Sequence, residues 1–152
     1  MRPMNILIIN GPNLQLLGLR EPNIYGNLTL EEINVGLSKI AESLGVRIEF
    51  FQSNHEGAIV DKIAAACHKK IDGIVINPAA YTHSSIAICD ALRAVPTPAV
   101  EVHISNISSR EHFRQQSLTA PACIGLITGF GADGYEWGLR AIIKHLGNIS
   151  KH

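Results

Sequence analysis

Glu101 and His103 stand one residue apart in the run Ala-Val-Glu-Val-His over residues 99–103, and this spacing is the first sign of chemistry in the chain. If the run is a strand, alternation puts both side chains on one face, where a carboxylate can fix the tautomer of an imidazole for acid–base work. A second set lies between Gly11 and Gly26, a segment that carries Asn13, Arg20 and Tyr25, with Gly11, Gly18 and Gly26 as hinges. These residues supply an amide, a fixed cation and a phenol. Arg20, Arg110 and Arg114 are the arginines available to such a site. One oriented histidine, a tyrosine, arginines and neutral donors suit proton abstraction and elimination on a small polar carboxylate.

The elements that must position these residues alternate along the chain. Residues 4–10, 46–52, 73–77, 99–103 and 123–128 are short, rich in β-branched residues and bounded by turn formers, which predicts five strands buried on both faces. Residues 29–44 place Leu30, Ile33, Leu37, Ile40, Ala41 and Leu44 at helical spacing, behind a Thr29-x-x-Glu32 capping box and ahead of Gly45. Residues 56–68, 84–95 and 132–146 repeat the pattern, and 108–116 reads as a further short helix. Strand–helix alternation without linker, repeat or low-complexity stretch predicts one α/β domain over residues 1–152, a parallel sheet with helices on both faces.

In such sheets the site lies beyond the carboxyl ends of the strands. Those ends here are Asn10 to Asn13, Ser53 to Glu56, Asn77 to His83 and Glu101 to Asn106, so polar groups collect on one rim. Ser53 and Asn54 read mainly as helix caps. Asn77-Pro78 alone could be a turn and His83 a surface histidine. The segment from residue 11 to about 28 is far longer than the roughly 2–6 residues usual for such connections, which marks it as a lid or binding loop.

Composition narrows the function. Thirteen basic residues balance thirteen acidic ones, so no global field favours nucleic acid or an anionic membrane, and any anion must be bound locally. The early apolar run, Ile6 to Ile9, is too short for a signal or a membrane span, which places the chain in the cytoplasm. Cys67, Cys89 and Cys123 read as reduced, mostly buried thiols. Lys39, Lys62, Lys69, Lys70, Lys144 and Lys151 fall on predicted helices or the tail, away from the rim, which argues against a lysine imine. Phosphate-binding glycine loops and a Gly-x-Ser-x-Gly elbow are both lacking.

Five islands of the chain closely resemble the type II 3-dehydroquinate dehydratases: the lid motif over residues 12–26, Ser-Asn-His-Glu-Gly at 53–57, Asn-Pro-Ala-Ala-Tyr-Thr-His at 77–83, Glu-Val-His-Ile-Ser-Asn-Ile at 101–107, and Arg-Glu-His-Phe-Arg-x-x-Ser at 110–117. The resemblance covers nearly the whole chain. It implies a flavodoxin-like three-layer domain with a five-stranded parallel sheet. It also implies cofactor-free, metal-free anti elimination of water from 3-dehydroquinate to 3-dehydroshikimate through an enolate, in aromatic biosynthesis or quinate breakdown, by a homododecamer of trimers.

Carried over by position, Tyr25 is the base, Arg20 its partner, Asn13 the holder of a water against the enolate, and His103 the acid, oriented by Glu101. Asn77, His83 and Arg114 would bind ring hydroxyls. Ile104 and Ser105 would bind the carboxylate through backbone N–H groups, and Asp90 would reach in from a neighbouring subunit. Ser108, Ser109 and Cys89 depart from the family pattern without touching the assigned chemistry. A flavin-binding module explains the rim but not a lid with Arg20 and Tyr25. A metal-dependent lyase built on His83, Glu101 and His103 fits the residue types.

Overall fold

Thr29 caps the first long helix as its sequence predicts: its hydroxyl accepts the Glu32 N–H at 3.1 Å, and Gly45, at φ +69°, follows the helix end. In the computed structural model, which describes residues 2–19 and 21–151, the strands are β1 (Asn5–Asn10), β2 (Arg47–Gln52), β3 (Gly73–Asn77), β4 (Ala99–His103) and β5 (Gly125–Thr128). The helices are α1 (Pro22–Tyr25), α2 (Leu30–Ser43), α3 (Glu56–Ala66), α4 (Ile86–Ala94) and α5 (Asp133–Ile149). All strands are parallel in the order β2-β1-β3-β4-β5, so the chain reverses its direction of travel between β1 and β3, the topological switch point.

Alternation along the inner strands divides the core. Ile6 and Ile8 of β1, Val75 of β3 and Val100 and Val102 of β4 pack with Leu37 of α2 and Leu139 and Ile142 of α5. Leu7, Ile9, Ile74 and Ile76 face the other way, onto Ile59 and Ile63 of α3 and Ile88 and Leu92 of α4. Helix α5 comes close to the sheet because residue 138 is glycine: a Cβ there would lie 2.8 Å from Val102 Cγ1. Among the described residues no helix is long and apolar enough to cross a membrane.

Several local expectations differ from the structure. Only β1, β3 and β4 are buried throughout or nearly so, since β2 and β5 are the sheet edges and carry exposed residues. Residues 108–116 form no continuous helix; two 3₁₀ turns, Ile107–Ser109 and His112–Arg114, stand there, with Arg110 between them. Ser53 and Asn54 do not cap α3, whose N-cap is His55. Ser53 Oγ instead accepts the His55 N–H, and Asn54 Oδ1 accepts the Asn13 N–H at 3.0 Å, tying the lid's start to the β2 end. Cys67 is exposed, Cys89 buried and Cys123 half-buried, all free thiols.

Gly11 makes the tightest junction at the switch point. Its N–H donates to Asn77 O at 2.8 Å, and a Cβ on it would lie 2.3 Å from Pro78 O. Because the obstacle is backbone, it cannot swing aside. Gly11→Ala should therefore cost about 1–3 kcal/mol in urea unfolding, the usual range for an overpacked site, and should lower turnover by shifting the strand ends that carry the rim.

Candidate active site

The register of the sheet brings the rim residues together. Asn10 and Asn77 are neighbours at the ends of β1 and β3, and β4 ends at His103 one strand further on. Beyond these ends lies a cavity of about 120 Å³ lined by Asn13, Tyr25, Asn77, His83, His103, Ile104, Ser105 and Arg114, eight of the residues named from sequence, and by Arg110. Glu101 sits beneath it, fully buried, and reaches it through His103. Asp90 is elsewhere, exposed on α4. Arg20 lies outside the described residues.

Each side chain is held by a recognisable local device. Asn13 adopts φ +68°, a left-handed conformation that asparagine tolerates, at the start of the 3₁₀ turn Leu14–Leu16. Buried Leu14 and Leu17 anchor that turn in the core. The loop is therefore not wholly irregular: α1, opened by Pro22, closes on Tyr25 and ends at Gly26. Asn77 is fixed on both sides, its Oδ1 accepting the Ala79 N–H at 3.0 Å and its Nδ2 donating to the Tyr135 phenol at 2.9 Å. The Tyr135 hydroxyl in turn donates to Asn10 Oδ1. Burial pushes the Tyr135 phenol above the ordinary tyrosine range, so it stays a neutral donor. His83 Nδ1 pairs with Gln116 O at 2.8 Å.

Tyr25 has a cation beside it, and it is one that sequence reasoning placed at the site without giving it this role. Arg110 Nη1 donates to the Tyr25 hydroxyl at 3.1 Å and to Ser105 Oγ at 3.2 Å, and its guanidinium lies 5.6 Å from the Tyr25 ring centre. Tyr25, Arg110, Ile104 and Ser105 also line a second cavity of about 400 Å³, so they form a wall between the two spaces. Arg114 Nε lies 3.1 Å from Glu111 Oε2, which steadies the second arginine of the cavity.

His103 Nε2 and Glu101 Oε2 are 2.8 Å apart. With that nitrogen committed, Nδ1 is the one left for the cavity. Burial alone would raise the Glu101 carboxyl, but the hydrogen bond and charge of His103, joined by the hydroxyls of Thr119 and Ser117, outweigh it and hold the group below the usual carboxylate value. The Cys123 thiol is pushed up to about 12, first by burial and then by the negative charge of Glu101, which leaves it neutral and unreactive near pH ~7. Among the described residues no three His, Cys, Asp or Glu side chains gather as a metal-binding group, so His83, Glu101 and His103 do not form one.

The chain is similar to known proteins over nearly its whole length. The family model described as dehydroquinase class II matches residues 4–143. The 3-dehydroquinate dehydratases of Geotalea daltonii and Acaryochloris marina are 59% and 60% identical, covering 94% and 93% of this chain and 99% and 95% of theirs. The crystal structure of a type II dehydroquinase from Butyrivibrio crossotus superposes with a TM-score of 0.91 at 50% identity, over 92% of this chain and 97% of that one. A rim of Asn13, Tyr25, Asn77 and His103 on a 2-1-3-4-5 sheet, in a chain matched over nearly its whole length, leaves one assignment: the chain belongs to the class II dehydroquinase family.

Proposed function

We propose that the rim cavity removes water from 3-dehydroquinate with Tyr25 as base, Arg110 as the cation that supports it, and His103 as acid. The activity itself, 3-dehydroquinate dehydratase of the shikimate pathway, goes with the family. The observation that carries the division of labour is the Tyr25 hydroxyl held by Arg110 Nη1 in the same cavity as a histidine anchored by Glu101.

The Tyr25 phenolate takes a proton from the carbon beside the ketone, and the electron pair moves onto the carbonyl oxygen to give an enolate. A water held by Asn13 stabilises that charge. Collapse of the enolate forms the ring double bond and expels the hydroxyl, which leaves as water with a proton from His103. Arg114, His83, Asn77 and the backbone N–H groups of Ile104 and Ser105 hold the ring hydroxyls and carboxylate, a fit supported by two arginines lining one cavity of a chain with no net charge.

Mixing the protein with 3-dehydroquinate and following the conjugated enone in the ultraviolet tests the reaction. Dehydration should persist at full rate with chelator and with borohydride. Inactivation by borohydride only in the presence of substrate would mean an imine and sink the mechanism.

We also place Asp90 at a subunit boundary, completing a neighbour's cavity in a homododecamer of trimers. Its exposure on α4, away from the chain's own cavity, supports this, as do exposed Ile86 one turn earlier and exposed Leu19, Phe113 and Phe130. Light scattering should give a closed oligomer of about twelve chains. Asp90→Ala should raise KM while leaving the unfolding midpoint near that of the parent. A fully active monomer at low concentration would return Asp90 to a solvated helix face.

A further inference from the structure

Glu101 is fully buried, yet four donors converge on it. His103 Nε2 lies 2.8 Å from Oε2, the Thr82 hydroxyl 2.8 Å and the Ser117 hydroxyl 2.7 Å from the same oxygen, and the Thr119 hydroxyl donates to Oε1. An ionised carboxylate offers about four acceptor positions and no donor, so a charged Glu101 can accept from all four groups.

We propose that the hydroxyls of Thr119, Ser117 and Thr82 are positioning groups: they hold Glu101 as a carboxylate and thereby keep the His103 proton on Nε2, with Nδ1 directed to the cavity. The consequence for turnover rests on His103 acting as the acid; the consequence for the ring proton does not. If the donors were lost, Glu101 would gain from taking up a proton. A protonated Glu101 would then donate to Nε2, moving the imidazole proton to Nδ1 and removing the anion that supports an imidazolium.

The cage is rigid because the backbone holds it from two segments. Thr82 lies on the 3₁₀ turn Ala79–His83 after β3, and its carbonyl accepts the Leu118 N–H at 2.7 Å. Ser117 Oγ accepts the Ala120 N–H at 2.9 Å, which leaves its own proton for the carboxylate. Thr82 and Thr119 are both fully buried, and the hydroxyls lie 2.6 to 3.2 Å from one another. A site built only for packing would be served as well by apolar isosteres, since removing paired polar groups together is close to neutral. Here the hydroxyls converge on one carboxylate that touches the cavity histidine. The low Glu101 carboxyl is consistent with this arrangement, and the titratable side chains felt there are His103 and the Cys123 thiol.

Thr119→Val keeps shape and removes one donor; Ser117→Ala, at a half-buried position, serves if Thr119→Val fails to fold. The ¹⁵N resonances of the His103 ring, assigned with His103→Gln, report which nitrogen carries the proton at a pH where the ring is neutral, and need no turnover. The parent should carry it on Nε2, and either variant should move a measurable fraction to Nδ1. In the same variants kcat should fall about tenfold to a hundredfold with KM within about threefold, the scale of a lost hydrogen bond to a charged group, and Thr119→Ser should restore it. An unmoved ring proton in a folded variant, or a fall in kcat that Thr119→Ser does not restore, would overturn the proposal. Parent-like turnover of His103→Gln would instead mark the acid assignment as wrong, and the ring proton would then decide the cage alone.

Discussion

Tyr25→Phe should lower kcat by about two orders of magnitude or more, the lower end of what a positioned general base contributes. The fold should be unaffected, because Tyr25 is half-buried on a short helix and its ring still packs beside the core. KM should change little, since the phenol acts on the proton in flight and not on the bound ring, and Arg110 retains Ser105 Oγ as an acceptor. Steady-state kinetics on the enone signal, with a thermal melt as control, would measure both. Turnover near that of the parent would move the base to His103 and leave Tyr25 as a wall between the two cavities.

Removing Arg110 should have the next largest effect. A guanidinium donating to the phenol oxygen stabilises phenolate over phenol, so Arg110→Ala should cut kcat about tenfold to a hundredfold, on the scale of about 1.5–3 kcal/mol for a hydrogen bond to a charged group. Arg110→Lys should recover only part of the rate, because a flexible ammonium stem lacks the planar, pre-organised guanidinium that sets Nη1 against both Tyr25 and Ser105. Arg20→Ala run beside it separates the two arginines. A large fall in kcat in that variant with none in Arg110→Ala would assign the supporting charge to Arg20.

Much of this enzyme can be read without coordinates, because the signals are local. The Thr29 cap, the spacing of Ile33 and Leu37 and the stop at Gly45 depend on neighbours within a few residues, and they form as the pattern predicts. The five strands fall within about two residues of their expected bounds, since β-branched runs between turn residues have few other uses. The Glu101–His103 pair is likewise local, a consequence of period-two alternation, and its contact at 2.8 Å follows from that spacing. Eight of the residues named from motif spacing line one cavity.

Tertiary structure decided what those signals do not encode. Arg110 meets Tyr25 across 85 residues because it stands between two 3₁₀ turns, which have no amphipathic period to announce their direction. The hydroxyls around Glu101 come from residues 82, 117 and 119, and serine or threonine in a loop looks the same whether it faces water or a buried carboxylate. Strand order, not strand composition, exposes β2 and β5, because only position in the sheet determines which strands are edges. Asp90 faces away from its own cavity for the same kind of reason: α4 turns it outward, and a sequence records the residue but not the surface it meets. Contacts between near neighbours are set by backbone periodicity and can be read from one chain, whereas contacts between distant segments depend on how irregular turns aim them, which only the folded molecule determines.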